Sequence, residues 1–570
     1  MSAVTYPSAW HAAMDFAVAH GVDTVFGLPD DDLVPLRALE GTELRMVLCR
    51  DQRAAAFMAA GHALAAGRTA LCVIGKGPAA ANVVGGLVEA RCSSAPMVVL
   101  ASGTGARTRG SGAFQELDQL AMIAPVVKWA HRVDHPDRVV PAIERAFLVA
   151  ANGAPGPVYL ELPADLLDVE VVRDRPWRQP RAQYPTPDLE ALAGSLVELR
   201  AARRPIVLVG GGMRHRNGGG EVERLAERLG APIFATASGR GCVDETHPLF
   251  CGLAGLYCAE EMLPLWADAD LVVALGSRLE ETAVYQPGFA APGVPVLQVN
   301  LEPVDISHER PGHAVIGDGL ATVRAWLLDL PERAARPELL ERAEEPAPTS
   351  EWAQRATAAN RAALARVDAE RERVAELPGI HIADLLRVLD EVLPERRVLV
   401  QENGLQDMFP YFYPHWRVAA AAGSIVPSEQ TSLGFGAIAA AGVKLAVPGS
   451  AVVAFVGDGA FGKLGADLEV LVEQELGVLF VVLDNGGYGW LQAQLDKAGP
   501  SSYHFAGRPH GTAGDRPGVH HAVVDDKTRL DKELRQAAAA CAAGRIAVVE
   551  IPVRLDDVAA DLTETEGEHA

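Results

Sequence analysis

The chain has no excess of positive charge, no paired cysteine spacing and no long uncharged stretch, and each absence removes a class of function. Its 51 Lys and Arg face 74 Asp and Glu, for a formal net charge of −23, and no basic stripe offsets that balance. A nucleic-acid or anionic-membrane partner is therefore not expected, because both require clustered positive charge. The seven cysteines, Cys49, Cys72, Cys92, Cys242, Cys251, Cys258 and Cys541, form no CxxC or metal-ligand spacing. Most sit in apolar runs, as small core residues of a reducing compartment do. Trp10, His11 and Asp15 interrupt any apolar run at the amino end, so no signal peptide is read there, and no uncharged run could span a bilayer. The expectation is a cytoplasmic protein whose partners are small molecules and its own copies.

What is present is ample material for several buried cores: 570 residues, 49% of them hydrophobic and 22% charged. Short apolar β-branched runs alternate with amphipathic or alanine-rich helical stretches, the pattern of an α/β protein with parallel sheets covered on both faces. The reading is three doubly wound domains. The first covers residues 1–170 and the second 188–330, separated by a Pro/Arg-rich linker from Val171 to Pro187. A charged segment, 331–377, reads as an exposed linker with one helix. The third domain covers 378–555, and 556–570 is an acidic tail expected to be disordered.

The most informative stretch is VVAFVGDGAFGKLGADLEVLVEQELGVLFVVLDNGGYGW, from Val452 to Trp490. Val452 to Val456 reads as a buried parallel strand ending at Gly457, Asp458 and Gly459. A helix is expected next, with Leu468, Leu471 and Val472 on its apolar face and Asp467, Glu469, Glu473 and Glu475 solvated. A second strand, Val478 to Leu483, ends at Asp484, Asn485, Gly486 and Gly487. Asp458 and Asn485, 27 residues apart, would then share one sheet edge, where open α/β sheets bind ligands. An Asp carboxylate, an Asn amide oxygen and a carbonyl near Gly487 suit Mg²⁺, which takes oxygen ligands and shares them with water and phosphates. Gly459 and Ala460 amides can donate to a phosphate.

That spacing, with Tyr488 and Gly489 after the Asn, resembles the thiamine-diphosphate and metal signature of the superfamily containing acetolactate synthase and pyruvate decarboxylase. That family usually carries Asn-Asn where this chain has Asp484-Asn485. The first 165 residues add VFGLP with Leu28 and Pro29, RDQRAAAFMAAGHA, GPAAAN with Pro78 and Asn82, AFQE with Phe114 and Gln115, and GPVYLELP, in an order that resembles the family's pyrimidine-binding domain. The resemblance implies a pyrimidine-binding, a central and a diphosphate-binding domain, bound thiamine diphosphate and Mg²⁺, and a homodimer or homotetramer. The strand Arg397 to Val400 delivers Gln401-Glu402-Asn403-Gly404, with Glu402 expected to bind the cofactor, and the resemblance assigns Leu433 to the aliphatic position that bends it. The central domain is expected to lack FAD: Gly210-Gly211-Gly212 does not have the GxGxxG spacing, and Leu279-Glu280-Glu281 replaces an Asp-Arg pair.

Two departures bear on chemistry. Gln52 stands where the family's Glu activates the aminopyrimidine, and an amide cannot exchange a proton with it. Slower activation, substitution by Asp51 or Glu402, and a noncatalytic homologue remain open readings. Trp490 and Gln494 stand where acetolactate synthases often place Met and Trp, so the pocket differs. The expected activity is carboligation of a 2-keto-acid-derived acyl unit, with decarboxylation of a 2-keto acid, lysis of a 2-hydroxyacyl thioester, or an inactive regulatory subunit as alternatives. Residues 499–521, which hold His504, His510, His520 and His521 at irregular spacing, read as a mobile lid or polar surface, with metal binding by these histidines as the alternative.

Overall fold

A computed structural model describes residues 3–29, 32–179, 182–330, 350–419, 421–502 and 516–560. Three six-stranded sheets organise them, and every strand pair within each is parallel. The first sheet runs Arg45–Leu48, Thr24–Leu28, Ala70–Ile74, Met97–Gly103, Pro157–Pro163, Trp129–Arg132. The third runs Gly423–Ile425, Arg397–Gln401, Ala451–Gly457, Val478–Asp484, Ile546–Pro552, Val519–Val523. Numbered within each domain, both have the order 2-1-3-4-6-5. The central sheet instead has the dinucleotide-fold order 3-2-1-4-5-6. Its strands are Phe250–Leu253, Ile233–Ala235, Pro205–Val209, Leu271–Leu275, Val296–Asn300 and Ala314–Ile316.

The first and third domains meet through corresponding helices, Gln52–Ala66 and Phe435–Ala446, and their cores merge. Alanines make this approach possible, and glycines set its limit. A Cβ at Gly61 would sit 2.5 Å from the Ala439 carbonyl oxygen, and one at Gly442 only 1.8 Å from that of Met58. The central domain is tied to the third by a fully buried ion pair, Arg240 with Glu245. Arg240 also donates to the carbonyls of Pro410 and Trp416, and Glu245 accepts from Val418 N.

Four segments differ from the sequence expectation. Val171–Arg173, at the start of the expected linker, is a strand paired antiparallel with Val4–Tyr6. Within 331–377 the charged helix Glu351–Ala375 forms, but one of its faces is buried while the other stays exposed. Trp352, Ala353, Ala356 and Ala363 enter the central core, because a narrow apolar stripe of one tryptophan and three alanines suffices to dock an otherwise charged helix. Of the tail, Asp557 accepts from Ile382 N and Ala559 is buried, while 561–570 lie outside the described residues. His520 and His521 lie in the edge strand Val519–Val523, with His521 Nε2 2.7 Å from Glu550 Oε1. His504 and His510 lie outside the described residues. No helix among the described residues is long and apolar enough to cross a membrane.

Candidate active site

The strands Ala451–Gly457 and Val478–Asp484 are hydrogen-bonded neighbours, so Asp458 and Asn485 do leave the same sheet edge. Both strands are apolar runs covered on two faces, and each ends where glycine lets the chain turn sharply. Asp458 is buried. Its Oδ1 accepts from Gly459 N at 2.9 Å, whereas its Oδ2 is buried with no hydrogen-bond partner. Burial, and then the adjacent Asp484 carboxylate, push the Asp458 carboxyl up to about 7. A carboxylate oxygen shut from water without a partner is costly, and a bound cation would remove that cost. The Asn485 amide donates from Nδ2 to Gln406 Oε1 at 2.8 Å, and its Oδ1 accepts from Gly487 N at 3.1 Å. With Asp458 and the Gly487 carbonyl, the donor set is all oxygen and fits Mg²⁺.

Glycines clear the space around this group. A Cβ at Gly459 would lie 3.0 Å from the Tyr488 ring, and one at Gly489 would lie 2.3 Å from Asn485 Nδ2. Ala460 follows Gly459 in the short helix Asp458–Phe461. Leu433 precedes the N-cap Gly434 and is 42% exposed. Glu402 is buried, and its Oε1 accepts from Gly436 N at 2.7 Å, at the start of the helix Phe435–Ala446. Burial holds its carboxyl well above the usual range, and Asp407 adds to that shift. Asp467, expected on a solvated helix face, is buried and accepts from Arg50 N at 2.8 Å, because the first domain covers that face.

A second cluster forms at the corresponding edge of the first sheet. Leu28 and Pro29 end one strand there and are half-buried. Gln52, at the first turn of the helix it opens, is buried and accepts at Oε1 from Asn82 Nδ2 at 3.0 Å. Asn82 and Pro78 lie on the helix Pro78–Cys92, which starts after Gly77. Gly77 has φ +58°, and a Cβ there would meet the Gln115 carbonyl oxygen at 2.4 Å. Gln115 also has a positive φ, 57°, and its Oε1 is buried without a partner. Phe114 beside it is 70% exposed.

Sequence reasoning did not find four residues that organise these clusters. Gln119 accepts from Gly77 N at 2.6 Å and holds the turn before Pro78. Glu89 is fully buried and accepts from Ser428 N and Ser432 N, fixing the loop ahead of Leu433. Asp407 accepts from Gly457 N at 3.0 Å, beside Asp458, and Gln406 meets Asn485. None belongs to a spaced motif, so no local signal marked them.

A cleft of about 240 Å³ opens at the switch point of the central sheet, between Gly211–Gly212 and Gly276–Ser277. Its arginines are already engaged. Arg216 pairs with Asp318 at 2.7 Å and Arg278 with Asp305 at 2.9 Å, while Arg214 donates to the carbonyls of Ser424 and Ser238. Glu280 also lines it, its carboxyl raised by burial. Among the described residues, no three His, Cys, Asp or Glu side chains gather as metal ligands.

The chain matches sequence profiles of the thiamine pyrophosphate enzyme N-terminal TPP binding domain over residues 8–122, central domain over 195–326, and C-terminal TPP binding domain over 411–551. It is similar to a probable acetolactate synthase large subunit of Methanocaldococcus jannaschii, 27% identical over 481 residues, which cover 83% of this chain and 79% of the relative. It is likewise similar to a probable 2-ketoarginine decarboxylase of Pseudomonas aeruginosa, 29% identical over 93% of this chain and 91% of that one. A sulfoacetaldehyde acetyltransferase of Rhodobacter capsulatus is 28% identical over 93% of this chain and 92% of the relative.

Proposed function

The chain belongs to the thiamine pyrophosphate enzymes, and from that premise we propose that it is a thiamine-diphosphate- and Mg²⁺-dependent enzyme that joins the acyl unit of a 2-keto acid to a second carbonyl compound. The observation that carries this is the buried, unpartnered Asp458 Oδ2 at the shared edge of two parallel strands, where Asn485 leaves the neighbouring strand. When bound, thiamine diphosphate supplies a carbon nucleophile and a sink for the electrons of the broken bond. Asp458, Asn485 and the Gly487 carbonyl would hold Mg²⁺ against its diphosphate. Gly457, Gly459, Ala460, Tyr488 and Gly489 shape that end. Leu28, Pro29, Gln52, Pro78 and Asn82 hold the aminopyrimidine end. Phe114 and Gln115 would face substrate, and Leu433 would press on the cofactor.

The decarboxylase relative supports a second reading, release of CO₂ from a 2-keto acid without an acceptor. We assign no FAD to the central cleft, because Arg214, Arg216 and Arg278 are spent on protein acceptors. None of the seven cysteines, all among the described residues, is in a disulfide, and five of them are buried, which supports a cytoplasmic location.

The test is turnover by the purified chain with thiamine diphosphate, Mg²⁺ and a panel of 2-keto acids, with and without a carbonyl acceptor, following CO₂ and coupled products by mass spectrometry. Coupled products support carboligation, CO₂ alone supports the second reading, and no turnover leaves a regulatory subunit. Asp458→Ala is expected to abolish thiamine-diphosphate binding; calorimetry showing unchanged affinity would reject the metal assignment.

A further inference from the structure

We propose that Gln406 is a positioning residue that decides which atom of the Asn485 amide faces the metal site; this rests on the reading of Asp458 and Asn485 as metal ligands. Gln406 is 2% exposed, in the loop after the strand Arg397–Gln401. Its Nε2 donates to the main-chain carbonyls of Arg554 at 3.3 Å and Leu555 at 3.1 Å. Carbonyl oxygens only accept, so they admit only the nitrogen side of the Gln406 amide. Gln406 Oε1 is thereby left facing Asn485, and it accepts from Nδ2 at 2.8 Å.

Gln406 in turn constrains Asn485. With Nδ2 committed to Gln406, Oδ1 lies on the other side of the amide, where Gly487 N donates to it at 3.1 Å. A reversed Asn485 amide would set oxygen against oxygen at Gln406 and nitrogen against nitrogen at Gly487, losing both hydrogen bonds. Gly489 keeps the arrangement open, since a Cβ there would lie 2.3 Å from Asn485 Nδ2. The distinction matters because an amide oxygen binds a hard cation and an amide NH₂ repels one. Through Gln406, the segment after the last strand of the third sheet orients a metal ligand without touching the metal, as residues behind a metal's ligands commonly do.

The test measures Mn²⁺ affinity of the full chain in the presence of thiamine diphosphate, reading free Mn²⁺ by electron paramagnetic resonance. Gln406→Leu is expected to weaken Mn²⁺ about tenfold. In an Asn485→Asp background it should cost nothing further, because a carboxylate presents oxygen on either side. Gln406→Glu keeps an acceptor for Asn485 Nδ2 but cannot, when ionised, donate to the two carbonyls. It should lower the melting temperature while keeping affinity within about twofold. An equal loss from Gln406→Leu in both backgrounds, or no loss in the wild-type background, overturns the proposal. If the leucine variant does not fold, Gln406→Glu decides: retained affinity with a lowered melting temperature supports the role, and lost affinity overturns it. Should Asp458→Ala bind as tightly as wild type, or wild type bind no Mn²⁺, the metal-site reading falls and this proposal with it. If Asp458→Ala abolishes binding while Gln406→Leu changes nothing, the metal site stands and only the positioning role fails.

Discussion

Gln52 carries the sharpest chemical question at the scale of single residues. Its Oε1 accepts from Asn82, a bond that a glutamate carboxylate could keep while also being able to take up and release a proton. Gln52→Glu is therefore expected to speed exchange of the C2 proton of bound thiamine diphosphate. Product formation should stay level or fall, because a new charge in a buried position can hinder later proton transfers. Deuterium exchange followed by quenched NMR checks this, and equal exchange rates would mean that Gln52 is not beside the aminopyrimidine or that another acid already serves. His62 makes a different kind of prediction. It is buried on the same helix with both ring nitrogens lacking hydrogen bonds, and burial lowers its pKa to about 4, partly countered by Asp23 at 3.7 Å. The folded pKa lies below the unfolded value, so this residue's contribution is fully present above about pH 6.5 and is lost as pH falls towards 4. That linkage is worth roughly 3 kcal/mol. His62→Leu should flatten the fall in melting temperature between pH 6.5 and 4.5, and parallel profiles for the two proteins would sink the argument.

Among the elements, the packing of Gln52–Ala66 on Phe435–Ala446 matters most, because it locks together the two domains that carry the two clusters. The close approach is limited by main-chain atoms that cannot rotate away. Gly442→Ala would drive a methyl to 1.8 Å from the Met58 carbonyl oxygen and is expected to cost about 1–3 kcal/mol through forced separation of the helices. Gly194→Ala, in the helix Leu189–Ala201 with nothing within 4 Å of the new Cβ, is the control and should be neutral or stabilising by up to about 1 kcal/mol. Thermal melting of both variants decides; equal shifts would show that the helix contact yields. The alanine-rich run at 54–66 thus has a packing explanation that is independent of catalysis.

For the whole molecule, both clusters lie at sheet edges bordered by exposed apolar side chains: Phe114 at 70%, Leu433 at 42%, Tyr488 at 36% and Leu491 at 46%. A surface that carries the proposed chemistry and leaves such side chains in water invites cover by a second copy. Light scattering is expected to give a dimer or a dimer of dimers, and a fully active monomer would reject this. The buried Arg240–Glu245 pair keeps the central domain fixed to the third, so a second copy would meet the three domains of a chain as one body.

The sequence by itself determined the three parallel-sheet domains and the chemistry of their strand ends. A strand covered on both faces must be an apolar run, and the sharp turn after it needs glycine, so Val452–Asp458 and Val478–Gly487 declare themselves locally. Gln52 and Asn82 were legible one at a time for the same reason, as neighbours of strand ends. Only the tertiary structure decided what depends on residues far apart in the chain. The charged composition of Glu351–Ala375 speaks for exposure, yet its small residues find the central core. Asp467 sits among acidic neighbours, yet the main chain at Arg50 covers it. The shared 2-1-3-4-6-5 order arises from pairing of strands far apart in the chain within each sheet, and the contact of Gly442 with Met58 from packing between domains. The Asn485 amide takes its orientation from Gln406, which takes its own from the carbonyls of Arg554 and Leu555. Hydrogen-bond direction is passed through space from one group to the next, and no periodicity in a sequence encodes it.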